Sequence, residues 1–173
     1  METLGTRLVY ENKWLRLRED RIRREDGSEG IYSVVEKRPC AMIIPWDGER
    51  LTLIEQFRQP LGARYWEFPS GALDVEDGSD EPEEIARTEL RQETGLLAGR
   101  MTPLGSFYIA PGITNQICHV FLAQDLVAGD SDREAEEVGL EVGSFTLHEL
   151  EELRKQGKLV DGLTLAALHL WRS

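Results

Sequence analysis

Residues 80–94 narrow the choice of fold more than any other stretch of this chain. They contain no run of β-branched residues, are rich in Glu, Leu and Arg, and carry helix end signals. Asp80 stands where an N-cap would be, with Glu83 three residues on to complete a capping box. Pro82 fits the first turn and Gly95 supplies the stop.

The sequence on both sides of this helix is patterned as strand. Short apolar runs between residues 6 and 35 (Leu8-Val9-Tyr10, Trp14-Leu15, Ile31 to Val35) are separated by charges and by the turn dipeptide Asp26-Gly27. Ala41 to Pro45, the turn Asp47-Gly48 and Leu51 to Phe57 read as a second hairpin. After the helix, Gly105 to Tyr108 and Ile117 to Ala123 read as strands around Ala110-Pro111-Gly112, and Leu140-Glu141-Val142 begins another. Gly129 to Glu137 is a polar acidic loop. Leu147 to Gln156 and Leu163 to Trp171 are helical, and the apolar face of the second is expected to pack on the sheet. There is no internal repeat and no long linker, so the expectation is an α/β (α+β) sandwich.

With 20 Lys and Arg against 32 Asp and Glu, the chain carries a formal charge of −12. That argues against a phosphate-backbone partner, because nucleic-acid affinity rests on Lys and Arg displacing counterions. Cys40 and Cys118 lie far apart without metal-ligand spacing, so buried free thiols are expected. No signal-peptide core and no run of about 18 apolar residues is present, which predicts no membrane partner and a cytoplasmic location.

Glu89 and Glu93 stand four residues apart, so on a helix their carboxylates share one face and repel. Arg91 sits about 200° round the axis from either and relieves neither. A hard divalent cation would, and oxygen ligands suit Mg²⁺ or Mn²⁺. Such spacing also occurs on any solvated acidic face, so its context decides.

That context is Trp66-Glu67-Phe68-Pro69-Ser70-Gly71-Ala72-Leu73, an acidic loop, then Ala86 to Leu96. Together they resemble the Nudix hydrolase box, Gly-x5-Glu-x7-Arg-Glu-U-x-Glu-Glu-x-Gly-U, with U a bulky apolar residue. More narrowly, Ile54 to Gly62, Tyr108 to Gln116 and Gly157 to Leu168 are similar to flanking segments of the ADP-ribose pyrophosphatase branch. The resemblance implies a Nudix-type α/β/α sandwich with a mixed sheet. It implies an N-terminal antiparallel strand extension over residues 1–38, exchanged in a homodimer, and a Nudix domain over 39–173. Glu89, Glu93 and the carbonyl of Ser70 would hold the metal, and Glu93 would be catalytic. Arg58, Ala72 and the loop Ala110, Pro111, Gly112 would meet the substrate. The implied reaction is metal-dependent cleavage of a nucleoside diphosphate sugar, foremost ADP-ribose to AMP and ribose 5-phosphate, with GDP-mannose-like compounds behind it. Metal would then bring a diphosphate to an acidic protein.

The box is a variant. Counted back from Gly95, its Arg falls on Thr88, the first Glu of its pair on Gln92 and its earlier Glu on Asp80. Gly71 fits only with three extra residues in the loop, since the ungapped position is Asp74. Thr88 and Gln92 replace an ion pair at helical spacing together, which leaves no orphan charge. Gln116 stands where the branch has Glu, and an amide cannot serve as a base. The remaining bases precede Leu140: Glu134, Glu136 and Glu137, of which the alignment of Leu140-Glu141-Val142 favours Glu136, while a further ligand position falls on Val138. These departures keep open a second reading, a Nudix fold that binds nucleotide sugars without turning them over. His119, His148 and His169 have no partners at ligand spacing, and Tyr65 and Trp66 read as core or as a stacking surface.

Overall fold

Charged residues are interspersed with apolar ones over residues 2–36, and three strands result: β1 (Glu2–Glu11), β2 (Arg16–Arg23) and β3 (Glu29–Glu36). The computed structural model describes residues 1–72, 81–129 and 139–173. It divides into two compact units, Met1–Pro39 with Phe107–Cys118, and Cys40–Ser106 with His119–Ser173.

In the first unit, β1, β2 and β3 form an antiparallel meander. Between β2 and β3, Gly27 adopts φ +84°, a conformation open to glycine, and Asp26 Oδ1 accepts from the Ser28 N–H at 2.9 Å. Trp14-Leu15, read above as strand, instead lies in the β1–β2 connection. Asn12 Oδ1 accepts from the N–H groups of Trp14 and Leu15 at 2.9 and 3.0 Å, closing the turn one residue after β1. The segment after residue 107 joins β3: Val35 N–H donates to Ile113 O at 2.8 Å, and Tyr32 Oη to Gly112 O at 2.7 Å. Of the three strands' side chains only Asp20 and Ile22 are buried.

The second unit holds the core. β4 (Cys40–Pro45) is buried along its whole length, in a sheet ordered β7-β4-β9-β8, where β7 is Ser70–Ala72, β8 Leu96–Tyr108 and β9 Ile117–Ala128. A second sheet, β10-β5-β6, is antiparallel and contains β5 (Leu51–Arg58), β6 (Ala63–Glu67) and β10 (Glu141–Phe145). The expected hairpin of β4 and β5 is thus corrected: one bridge, Trp46 to Leu51, joins them before they enter different sheets. Pro45 has no N–H to continue a ladder, and Trp46 N–H goes to Ala123 O in β9 at 2.9 Å. Cys40 and Cys118 are buried free thiols.

The first helix, α1, spans Pro82–Thr94. It begins after Glu81, which makes no side-chain cap, and Pro82 in the first turn brings a φ already suited to the helix. Asp80, the expected cap, lies outside the described residues. Gly95 closes the helix in the left-handed region at φ +73°. Ile85, Ala86 and Leu90 pack against Ala41, Ile43, Met101, Phe121 and Ala123. The remaining helices are α2 (Leu147–Lys155) and α3 (Gly162–Arg172), with Trp171 of α3 set 5.1 Å from Trp46. Thr146 and Glu149 form a full capping box on α2. Thr146→Ala is therefore expected to cost about 1 kcal/mol of stability by urea denaturation at pH 7. The Thr146 N–H and hydroxyl hold the Glu149 carboxyl below the usual glutamate value. That stabilisation is complete above the usual value and is lost as pH falls through the lowered one.

Candidate active site

α1 puts a carboxylate where packing calls for a hydrocarbon. Glu93 shares the buried stripe with Ile85, Ala86 and Leu90 and is only 5% exposed. Glutamate is almost never buried unless paired. Its Oε2 accepts the backbone N–H of Ser70 at 2.9 Å. The ladder explains why that N–H points at α1 rather than at the sheet. Ile43 N–H donates to Pro69 O at 2.9 Å, so the next opposed pair, Met42 and Ser70, is the one whose backbone groups face away from each other. Ser70 sits on the edge strand β7, and both its N–H and its carbonyl turn outward.

Glu89, one turn before Glu93, is half-buried and lies against Gly71. A Cβ on Gly71 would meet Glu89 Oε1 at 1.8 Å and its carboxyl carbon at 2.0 Å. The glycine is needed here for space, since its φ is not positive. Glu89, Glu93 and the Ser70 edge therefore come together, all within the second unit. Two carboxylates and an outward carbonyl are hard oxygen donors, and this set fits Mg²⁺ or Mn²⁺. Among the described residues no group of three His, Cys, Asp or Glu side chains is placed to hold a metal. Glu134, Glu136, Glu137, Val138 and Asp74 lie outside the described residues.

Arg58 ends β5 in the same unit. Its Nε and Nη2 donate to Glu67 Oε2 at 3.2 and 2.6 Å. Burial pushes the Glu67 carboxyl above the usual glutamate range; Arg58 opposes the push, Asp161 adds to it, and a hydrogen bond from Gln56 opposes it further. Because the folded value is the higher one, ionisation of Glu67 costs the fold stability. The cost is absent below the usual value and complete above the raised one. Ala72 is the exposed last residue of β7, opposite Cys40. Thr88 is exposed and Gln92 half-buried.

The first unit carries the loop after β8 and Gln116. Ala110 is half-buried, while Pro111 and Gly112 are exposed. Gln116 is 7% exposed and its Nε2 donates to Arg38 O at 2.8 Å. An ionised glutamate, having no donor, could not make that bond. Trp14 was not singled out in the sequence; it is 59% exposed, with Lys13 Nζ 4.3 Å from a ring centroid. It lines a cavity of about 430 Å³ with Arg16, Lys37, Arg38 and Asn115. Tyr65 and Trp66 are both half-buried, and Trp66 packs edge-on against Phe145 at 4.8 Å. His148 and His169 line a separate cavity of about 660 Å³ between α2 and α3.

Residues 36–167 match the NUDIX domain family, and the chain belongs to it. Residues 1–35 match the nucleoside diphosphate sugar hydrolase N-terminal domain, which makes the protein a Nudix hydrolase of the nucleoside diphosphate sugar group. The ADP-ribose pyrophosphatase of Bacillus subtilis (strain 168) is 30% identical over 170 residues, covering 96% of this chain and 90% of that one. The ADP-ribose pyrophosphatase of Mycobacterium tuberculosis is 28% identical over 169 residues, covering 96% and 81%. In fold, the crystal structure of an ADP compounds hydrolase superposes with a TM-score of 0.85 at 22% identity, covering 98% of this chain and 91% of that one.

Proposed function

We propose that this protein hydrolyses ADP-ribose to AMP and ribose 5-phosphate with Mg²⁺ or Mn²⁺. The carrying observation is Glu93, a carboxylate kept on the apolar face of a helix and bonded to the Ser70 N–H, with Glu89 beside it over Gly71. In this reading Glu89, Glu93 and the Ser70 carbonyl hold the cation. When bound, the cation neutralises diphosphate charge and acidifies water. Arg58 binds a phosphate oxygen; Ala72 and the backbone of Ala110, Pro111 and Gly112 border the substrate. Glu136 is the residue that takes the proton from the attacking water, with Glu134 and Glu137 as its nearest competitors. The choice of ADP-ribose is supported by relatives of that activity that match nearly the whole chain.

We further propose a division into residues 1–38 as a dimerisation region and 39–173 as the catalytic domain. Leu8, Val9, Tyr10 and Ile31 on β1 and β3 are about half exposed, at 46 to 61%, and such apolar surface suits a second copy of the chain. The acidic surface fits neither nucleic acid nor an anionic membrane, and among the described residues no helix is long and apolar enough to cross one. A cytoplasmic enzyme follows from this reading.

The test is hydrolysis of ADP-ribose, ADP-glucose, GDP-mannose and UDP-glucose with Mg²⁺ or Mn²⁺. ADP-ribose is expected to lead in kcat/KM by about tenfold or more, worth about 1.4 kcal/mol of discrimination. A lead by GDP-mannose would replace the substrate assignment.

A further inference from the structure

Glu67 has no part in the chemistry above, yet it is a buried carboxylate at the end of β6. It is 3% exposed, between Trp66 and a fully buried Phe68; its Oε1 makes no well-formed hydrogen bond among the described residues, and the Gln56 side chain only helps to favour its charged form. An apolar residue would pack there without the desolvation cost. Its backbone is clamped: Trp66 N–H donates to Lys158 O at 2.9 Å and Phe68 N–H to Thr164 Oγ1 at 3.0 Å. Thr164 is itself fully buried and fixed to Asp161.

The pairing with Arg58 is one-sided. An ion pair built for stability alone would match two donors to two carboxylate oxygens. Here Nε and Nη2 both go to Oε2, so one edge of the guanidinium is held. Nη1 makes no hydrogen bond among the described residues, on a side chain 43% exposed. A long arginine otherwise has to give up its rotamer freedom when it meets a ligand.

Resting on the role of Arg58 given above, we infer that Glu67 is a positioning residue. Its clamped, buried carboxylate fixes one edge of Arg58 so that the other is set in advance for an oxyanion of the substrate diphosphate. Glu67 touches no substrate itself and acts only through Arg58.

The experiment compares wild type, Glu67→Gln, Glu67→Asp, Arg58→Ala and the double variant Arg58→Ala with Glu67→Gln. KM and kcat are measured for ADP-ribose with Mg²⁺, the Kd of ADP-ribose in EDTA, and thermal unfolding in parallel to verify the fold. Glu67→Gln should raise KM and Kd about tenfold, the scale of a charge-assisted hydrogen bond, with kcat within about twofold. Glu67→Asp, which restores the charge, should recover part of the loss. The double variant should match Arg58→Ala. Wild-type KM and Kd in Glu67→Gln, with Arg58→Ala impaired, would overturn the inference, as would losses that multiply in the double variant. Wild-type values in Arg58→Ala would instead overturn the substrate role of Arg58.

Discussion

Glu93→Gln is expected to lose about a thousandfold in kcat for ADP-ribose, measured with Mg²⁺ by AMP release, while unfolding at a temperature close to wild type. The amide keeps the shape and can still accept the Ser70 N–H, so the edge of β7 stays docked on α1. What it loses is one negative oxygen donor. Metal stabilisation of transition-state charge is worth several kcal/mol, and each ~1.4 kcal/mol is a factor of about ten in rate. Full activity in this variant would remove Glu93 from the metal set.

Gly71→Ala is expected to lose about a hundredfold in kcat without unfolding the protein. The new methyl would overlap the end of the Glu89 side chain, with Cγ at 2.7 Å and the carboxyl atoms closer still. Gly71 has no positive φ, so alanine can adopt the backbone, and Glu89 can yield by swinging its carboxylate away. The fold therefore survives, at an overpacking cost of about 1 kcal/mol, while one of the two helix carboxylates leaves its place. Steady-state kinetics with a parallel urea titration separates the two effects. Wild-type kcat would show that the position of Glu89 does not matter to the reaction.

The parts of this account that were legible in the sequence are those set by local spacing. Glu89 and Glu93 share a face because a helix repeats every 3.6 residues, and Gly95 ends that helix because glycine tolerates a left-handed cap. Sheet membership was not legible. Leu51 to Phe57 has the same alternation whether it pairs with β4 or with β6 and β10, and the pairing is decided by Pro45 and by Trp46 bonding to β9. The start of α1 was less legible: Asp80, the expected cap, lies outside the described residues, and Glu81 at the N-cap makes no side-chain bond. The partner of the Gln116 amide, the carbonyl of Arg38, stands 78 residues away in sequence, beyond the reach of any local pattern. Glu67 left one readable sign, a charge wedged between Trp66 and Phe68 ahead of a proline, but its bond to Arg58 depends on the β5–β6 register.

The central claim, that a cation held on α1 directs hydrolysis of the diphosphate, is tested most directly by the products formed from ADP-ribose. Wild-type protein is incubated with ADP-ribose in Mg²⁺ and, separately, in EDTA, and both reactions are followed by phosphorus NMR. The account predicts AMP and ribose 5-phosphate in equal amounts with Mg²⁺ and neither with EDTA. Equal hydrolysis in EDTA, or release of ADP and free ribose, would contradict it.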